Sequence, residues 1–133
     1  MLIEKAGLNR NSLKDEVAII TGAGRGIGYE ATKALVWLGA KVVIAEINQE
    51  NGKTAEENIN RDLEEKKALF IRTDVGEQKD IDALSDEVLN KFGKVDIVLN
   101  NATVFPIGAV KDMPIESWDF SYNVNLRGPV LLA

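Results

Sequence analysis

An open α/β sheet, parallel and covered by helices on both faces, is the fold this sequence predicts. Three observations predict it: four short β-branched runs, segments of helical period between them, and a glycine-rich turn that joins the first run to the first such segment. The runs are Val17–Thr21, Lys41–Ala45, Ala68–Arg72 and Val95–Leu99. They are apolar nearly throughout and do not alternate, the pattern of strands buried on both faces. Their first residues lie 24, 27 and 27 positions apart, room for one crossover helix each.

Ile27, Ala31, Ala34, Leu35 and Leu38 repeat at helical spacing after the first run, and Gly39 stops them. Ala55, Ile59 and Leu63 make a thinner stripe after the second. The stretch from Glu46 to Lys67 carries seven acids and four bases and reads as a solvated helix face. Ile81, Leu84, Val88 and Phe92 form a third stripe, closed by Gly93, and Pro114 suits the first turn of a fourth helix running towards the C-terminus. Strand and helix thus alternate throughout. With right-handed crossovers, the doubly wound arrangement stacks the strands in the order 3-2-1-4. Residues 1–14 are polar and without period, an arm expected to lie over the surface, so residues 1–133 form one domain.

Composition excludes several classes of function. The 133 residues are 45% hydrophobic and 28% charged, and 16 bases against 21 acids leave a net charge of −5. With no long basic run, neither nucleic acid nor an anionic membrane is the expected partner. Cysteine and histidine are both absent. No disulfide, zinc-thiolate centre, cysteine nucleophile or Ser-His-Asp relay can be assembled, and no metal site is expected. The longest uncharged stretch, Ile97 to Val110, includes Asn100, Asn101 and Pro106 and is too short and polar to span a bilayer. Met1 to Lys14 lacks the apolar core of a signal peptide, so the expected setting is cytoplasmic.

The chemistry sits in the glycine-rich turn, Thr21-Gly22-Ala23-Gly24-Arg25-Gly26-Ile27-Gly28. Gly22 permits the sharp turn, Gly26 lets backbone approach a pyrophosphate, and Gly28 lets the helix pack close to the strand. A phosphate placed there faces the free N–H groups and positive end of the helix. Glu46 ends the second strand 18 residues past Gly28. A carboxylate there accepts hydrogen bonds from an adenosine ribose diol and repels a 2′-phosphate. Arg25 argues the other way, since a guanidinium within reach of that phosphate is worth roughly 1–4 kcal/mol. Arg25 swings into solvent more easily than Glu46, so the expected cofactor is NAD, with NADP less favoured.

These residues resemble the short-chain dehydrogenase/reductase family. The Thr21-Gly-x-x-x-Gly-x-Gly28 spacing is similar to that family's glycine motif. Asp74-Val75 resembles the pair that lines its adenine pocket. Asn100-Asn101-Ala102 resembles its Asn-Asn-Ala-Gly motif, which supports the sheet and touches the nicotinamide-side ribose. Asn123-Val124-Asn125-Leu126-Arg127-Gly128 resembles the segment whose second asparagine belongs to the catalytic tetrad. The resemblance covers about residues 12–133. It implies a Rossmann-type sheet, cut after about four strands, and a cofactor site made of Gly22, Arg25, Gly26, Ile27, Gly28, Glu46, Asp74, Val75, Asn101 and Ala102.

The reaction it implies is hydride transfer between a nicotinamide and an alcohol or ketone, with a tyrosinate as acid/base, a lysine beside it and a serine on the substrate oxygen. Of that tetrad only Asn125 is here, expected to keep a helix kinked around a relay water. The serine and the Tyr-x-x-x-Lys helix belong to a catalytic half expected to be absent. The literal match Tyr29 to Lys33 falls on the first helix, outside the structural context the motif needs. Thr103 stands where the family motif has glycine, adding a β-branched side chain near the nicotinamide. The chain is therefore expected to be the cofactor-binding part of an oxidoreductase, inactive in isolation and paired with itself or a complementary chain. The alternative is a non-catalytic nucleotide-binding or interaction module of the same fold.

Overall fold

The computed structural model describes residues 7–133. Its centre is a parallel sheet of β1 (Val17–Thr21), β2 (Lys41–Glu46), β3 (Ala68–Arg72) and β4 (Ile97–Leu99), in the order β3-β2-β1-β4. This is the predicted order. The uninterrupted apolar runs lie at the middle: every residue of β1 is buried, and every residue of β2 except Lys41.

Successive residues of the central strands face opposite layers, as the pleat requires. Ala18, Ile20, Val42 and Ile44 pack under α1 (Gly26–Trp37) and α2 (Gln49–Asp62), joining Val36, Ala55 and Ile59. Val17, Ile19, Val43 and Ala45 pack on the other face under α3 (Gln78–Phe92), with Leu84 and Val88. Of the predicted stripes, Ala55 and Ile59 on α2 and Ile81, Leu84 and Val88 on α3 are buried, while Leu63, just past the end of α2, and Phe92 are half-buried. Asn48 caps α2 by accepting from the Asn51 N–H at 2.9 Å, and Gly93 ends α3 at φ +77°.

Two local expectations are corrected. On α1 the buried residues are Gly28, Thr32 and Val36, while Ile27 is 81% exposed. A Cβ on Gly28 would collide with the Gly22 carbonyl and Asn101, so the helix is rolled to place the glycine inward. Thr32 is buried with its hydroxyl satisfied, donating to the Gly28 carbonyl at 2.9 Å. The fourth strand starts at Ile97 rather than Val95. Asp96 replaces ladder geometry with its own clasp: its N–H donates to the Val17 carbonyl, and its Oδ2 accepts from the Val17 N–H, both at 2.8 Å.

The predicted fourth helix is three consecutive segments. These are α4 (Ile115–Tyr122), a π-helical turn (Asn123–Arg127) and α5 (Gly128–Leu132), preceded by a short 3-10 turn at Val110–Asp112. Pro114 sits one position before the first turn of α4 as its N-cap. At the other terminus, the Leu13 N–H donates to the Leu38 carbonyl at 2.9 Å, and the Arg10 guanidinium lies 5.8 Å from the Trp37 ring centre. That part of the arm lies on the end of α1; residues 1–6 of the predicted arm lie outside the described residues. Among the described residues, no helix is long and apolar enough to cross a membrane.

Candidate functional site

A cleft of about 510 Å³ opens over the carboxyl ends of the strands, the place where open α/β sheets bind ligands. Of the predicted cofactor residues, all but Gly28 line it, together with Thr73, Thr103, Val104, Phe120 and Val124. The sheet gathers these residues because each strand delivers its following loop to the same edge.

The three motif glycines differ in what surrounds them. Gly22 turns at φ +63°, and a Cβ there would stand 2.9 Å from the Ala102 Cα. A Cβ on Gly28 would stand 2.6 Å from the Gly22 carbonyl oxygen and 2.7 Å from Asn101 Nδ2, so any side chain would force α1 off the turn. Gly26, at φ +59°, has nothing within 4 Å of such a Cβ. Gly22 and Gly28 are thus glycines of packing, and Gly26 is the open one. The N-cap of α1, Arg25, makes no side-chain capping bond, and the first turn holds no acid. The N–H groups there keep their capacity for an acceptor in the cleft.

Glu46 is only 8% exposed. Its Oε2 accepts from the Gly24 N–H and its Oε1 from the Asn48 N–H, each at 3.0 Å. The carboxylate is thereby fixed between the glycine turn and the cap of α2. Arg25 is exposed at the rim of the cleft. On the adenine side of the family pattern, Asp74 Oδ1 accepts from the Gly76 N–H at 2.9 Å. Asp80, which sequence spacing does not single out, anchors this loop: its Oδ2 takes the Asp74 N–H and the Arg72 guanidinium, each at 3.0 Å. Val75 is buried, and its carbonyl oxygen would lie 2.5 Å from a Cβ on Gly128. The start of α5 therefore braces that loop.

Asn101 ties the site to the sheet. Its Nδ2 donates to the carbonyls of Thr21 at 3.0 Å and Gly22 at 3.1 Å. The Thr21 hydroxyl accepts from the N–H groups of Asn101 and Ala102, both at 3.0 Å. Thr21 enters the sequence pattern only as the head of the glycine motif; its hydroxyl is in fact the hinge between β1 and the loop after β4. Asn125 does the same on the outer side. Its Oδ1 accepts from the Val104 N–H at 2.9 Å and the Thr103 hydroxyl at 3.1 Å, and its Nδ2 donates to the Val104 carbonyl at 2.8 Å and Ser121 Oγ at 3.1 Å. The residue that departs from the family glycine, Thr103, thus bonds directly to Asn125. Asn125 sits in the π-helical turn. Tyr29 packs against the core under α1, and Lys33 pairs with Asp62 at 3.3 Å. Neither residue of the literal Tyr-x-x-x-Lys match lines the cleft.

A glycine turn between β1 and α1, an acid closing β2 and an asparagine staple after β4 on a parallel sheet of order β3-β2-β1-β4 define a Rossmann-type α/β fold. Residues 16–133 match the short chain dehydrogenase family model, and the chain belongs to that family. It is 35% identical over 120 residues to an uncharacterized oxidoreductase of Thermotoga maritima, covering 90% of this chain and 46% of that protein. It is also 35% identical to galactitol 2-dehydrogenase of Agrobacterium fabrum, over 90% of this chain and 45% of that one. Among solved structures, a metagenomic short-chain oxidoreductase in complex with NADP superposes with TM-score 0.84 at 35% identity, over 91% of this chain and 54% of that one. The 3-ketoacyl-(acyl-carrier-protein) reductase of Brucella melitensis complexed with NADH gives 0.83 at 35%, over 91% and 48%. The chain spans about half the length of the relatives it matches.

Proposed function

We propose that this chain binds a nicotinamide dinucleotide in the cleft over β1 and β4, takes NAD(H) in preference to NADP(H), and serves as the cofactor-binding part of an oxidoreductase acting on an alcohol or ketone. The observation that carries the reading is the turn from Gly22 to Gly28. Its open glycine and the uncapped N–H groups of α1 face the cleft, and the seated carboxylate of Glu46 stands beside them. That donor set suits a pyrophosphate. When bound, the nicotinamide supplies or accepts the hydride. The residues of this chain hold and orient: the α1 amides at the pyrophosphate, Glu46 at the adenosine ribose, Asp74 and Val75 at the adenine. Asn125 holds the Val104 segment against the helical run.

Relatives in complex with NADP and with NADH leave both cofactors open to the family. The preference for NAD rests on Glu46, whose two oxygens are held by the Gly24 and Asn48 amides at the edge of the cleft, where a carboxylate repels a 2′-phosphate. One such repulsion of about 1.4 kcal/mol amounts to tenfold. Calorimetric titration with NAD and NADP tests both parts. Tighter binding of NADP overturns the preference in favour of Arg25, and binding of neither nucleotide overturns the site.

A second reading, an interaction module, draws support from the outer edge of β4. Leu99 is 38% exposed, and Phe105, Ile107, Val130 and Leu131 are also exposed on the segments that follow. Pairing of that edge, with a second copy or a complementary chain, would cover it.

A further inference from the structure

We infer that the Asn60 side chain closes the outer edge of β3, so that a second copy of this chain cannot add its β4 there and the sheet cannot grow into an open-ended row of copies. Asn60 meets β3 at its amino end, away from the cleft over the carboxyl ends, so this role is separate from cofactor binding.

The sheet has two outer edges. Among the described residues, β3 pairs only with β2, and β4 only with β1. Along β3 the odd-numbered positions turn their main chain to β2. The Lys67 carbonyl accepts from the Val42 N–H at 2.8 Å, and the Thr73 N–H donates to the Glu46 carbonyl at 3.0 Å. By the period of two, Ala68, Phe70 and Arg72 point their N–H and C=O groups outward. Such a row is a template for another strand.

Asn60, near the end of α2, answers both outward groups of Ala68. Its Oδ1 accepts from the Ala68 N–H at 3.0 Å and from the Lys67 N–H at 3.1 Å, and its Nδ2 donates to the Ala68 carbonyl at 2.9 Å. One primary amide thus makes the donor and acceptor pair that a residue of a neighbouring strand would make. Glu56, one turn earlier on the same face of α2, lies beside the next outward amide, that of Phe70. On the opposite edge Val98 and Leu99 of β4 are exposed.

Closing one edge decides how copies can meet. With β3 closed, the strand left for pairing is β4, and β4 against β4 across a two-fold axis uses up both open edges and stops at two. With β3 open, the β4 of one copy pairs with the β3 of the next. That contact joins unlike surfaces, leaves an unpaired edge at each end and repeats.

The test uses the full 133-residue chain with Asn60→Ala, Asn60→Ser, Leu99→Lys and the N60A/L99K pair. Light scattering over a concentration series, amide hydrogen exchange and thermal melts are the readouts. In the wild type the outward Ala68 amide is expected to be protected like the amides of the paired strands. In N60A that protection is expected to fall by about tenfold or more, and particle mass to climb with concentration without a plateau. Adding L99K to N60A is expected to bring the mass back to a limit, because the incoming strand is β4. A wild-type Ala68 amide that exchanges as fast as an open edge overturns the inference without any variant. So does a folded N60A chain whose mass stays at the wild-type ceiling, and so does growth that persists in the double variant. Loss of the cooperative melt in both N60A and N60S would show that Asn60 serves folding instead, which also overturns it.

Discussion

Replacing Asn101 tests whether the site is held by a hydrogen-bond staple or by packing alone. Its Nδ2 donates to two carbonyls, Thr21 at 3.0 Å and Gly22 at 3.1 Å, across a separation of some eighty residues in the chain. Asn101→Ala removes both bonds. At about 1 kcal/mol each, the loss is about 2 kcal/mol. For a chain of this size about 4 °C of melting temperature accompanies each kcal/mol, so a fall of roughly 8 °C is expected. Asn101→Asp is the sharper variant. It keeps the shape but turns two donors into a carboxylate facing two carbonyl oxygens, so it should destabilise more than alanine despite being isosteric. The new carboxyl group would have its folded-state pKa raised above the unfolded value near 3.9. Its penalty is then full at neutral pH and fades as pH falls through the raised folded pKa, because the protonated acid can donate again. Thermal melts followed by circular dichroism from about pH 7 to about pH 4 read this directly. An N101D chain as stable as N101A at neutral pH, or one whose deficit does not shrink on acidification, would refute the staple.

Three further outcomes are expected. The Lys94 ammonium beside Asp96, together with the Val17 N–H, holds the Asp96 carboxyl below its usual range. This depressed pKa adds stability above the unfolded value that is lost as pH falls through the folded one, so Asp96→Ala should lower the melting temperature at neutral pH, with the gap from wild type closing in acid; a gap that stays constant contradicts the clasp. Light scattering across a concentration series should show self-association through β4, and Leu99→Lys should reduce it; a wild-type chain that stays monomeric at high concentration would show that this edge needs no partner. The isolated chain should reduce no NAD with a broad panel of alcohols, and activity that survives Asn125→Ala but disappears in Tyr29→Phe would show that the first-helix pair is catalytic after all.

Where the local pattern carries its own physical cause, sequence and structure agree closely. β1 and β2 are legible because strands buried on both faces need apolar residues at every position. The buried stripes of α2 and α3 are legible because their polar residues leave only one face to bury. The glycine turn is legible because conformations such as those of Gly22 and Gly26, with φ near +60°, exclude most other residues. Errors gather where a distant partner decides. Ile27 looks like a core residue by period, yet α1 is rolled by the close approach of Gly28 to the Gly22 carbonyl. Val95 and Asp96 look like strand, yet the carboxylate of Asp96 takes the Val17 amide.

What the sequence by itself determined is the order of elements, the parallel sheet, the glycine turn and the acid at the end of β2. All of these depend on residue types within a few positions of one another. What only the tertiary structure decided is how the loops are locked together. The Thr21 hydroxyl shared by Asn101 and Ala102, the anchoring of Asp74 by Asp80, the bond from Thr103 to Asn125 and the contact between Gly24 and Glu46 all bring residues into register through the sheet or the packed loops beside it. A hydrogen bond depends on distance and angle within a few tenths of an ångström. No spacing rule along the chain carries that information, because it arises only after the strands have paired and the helices have settled on their glycines.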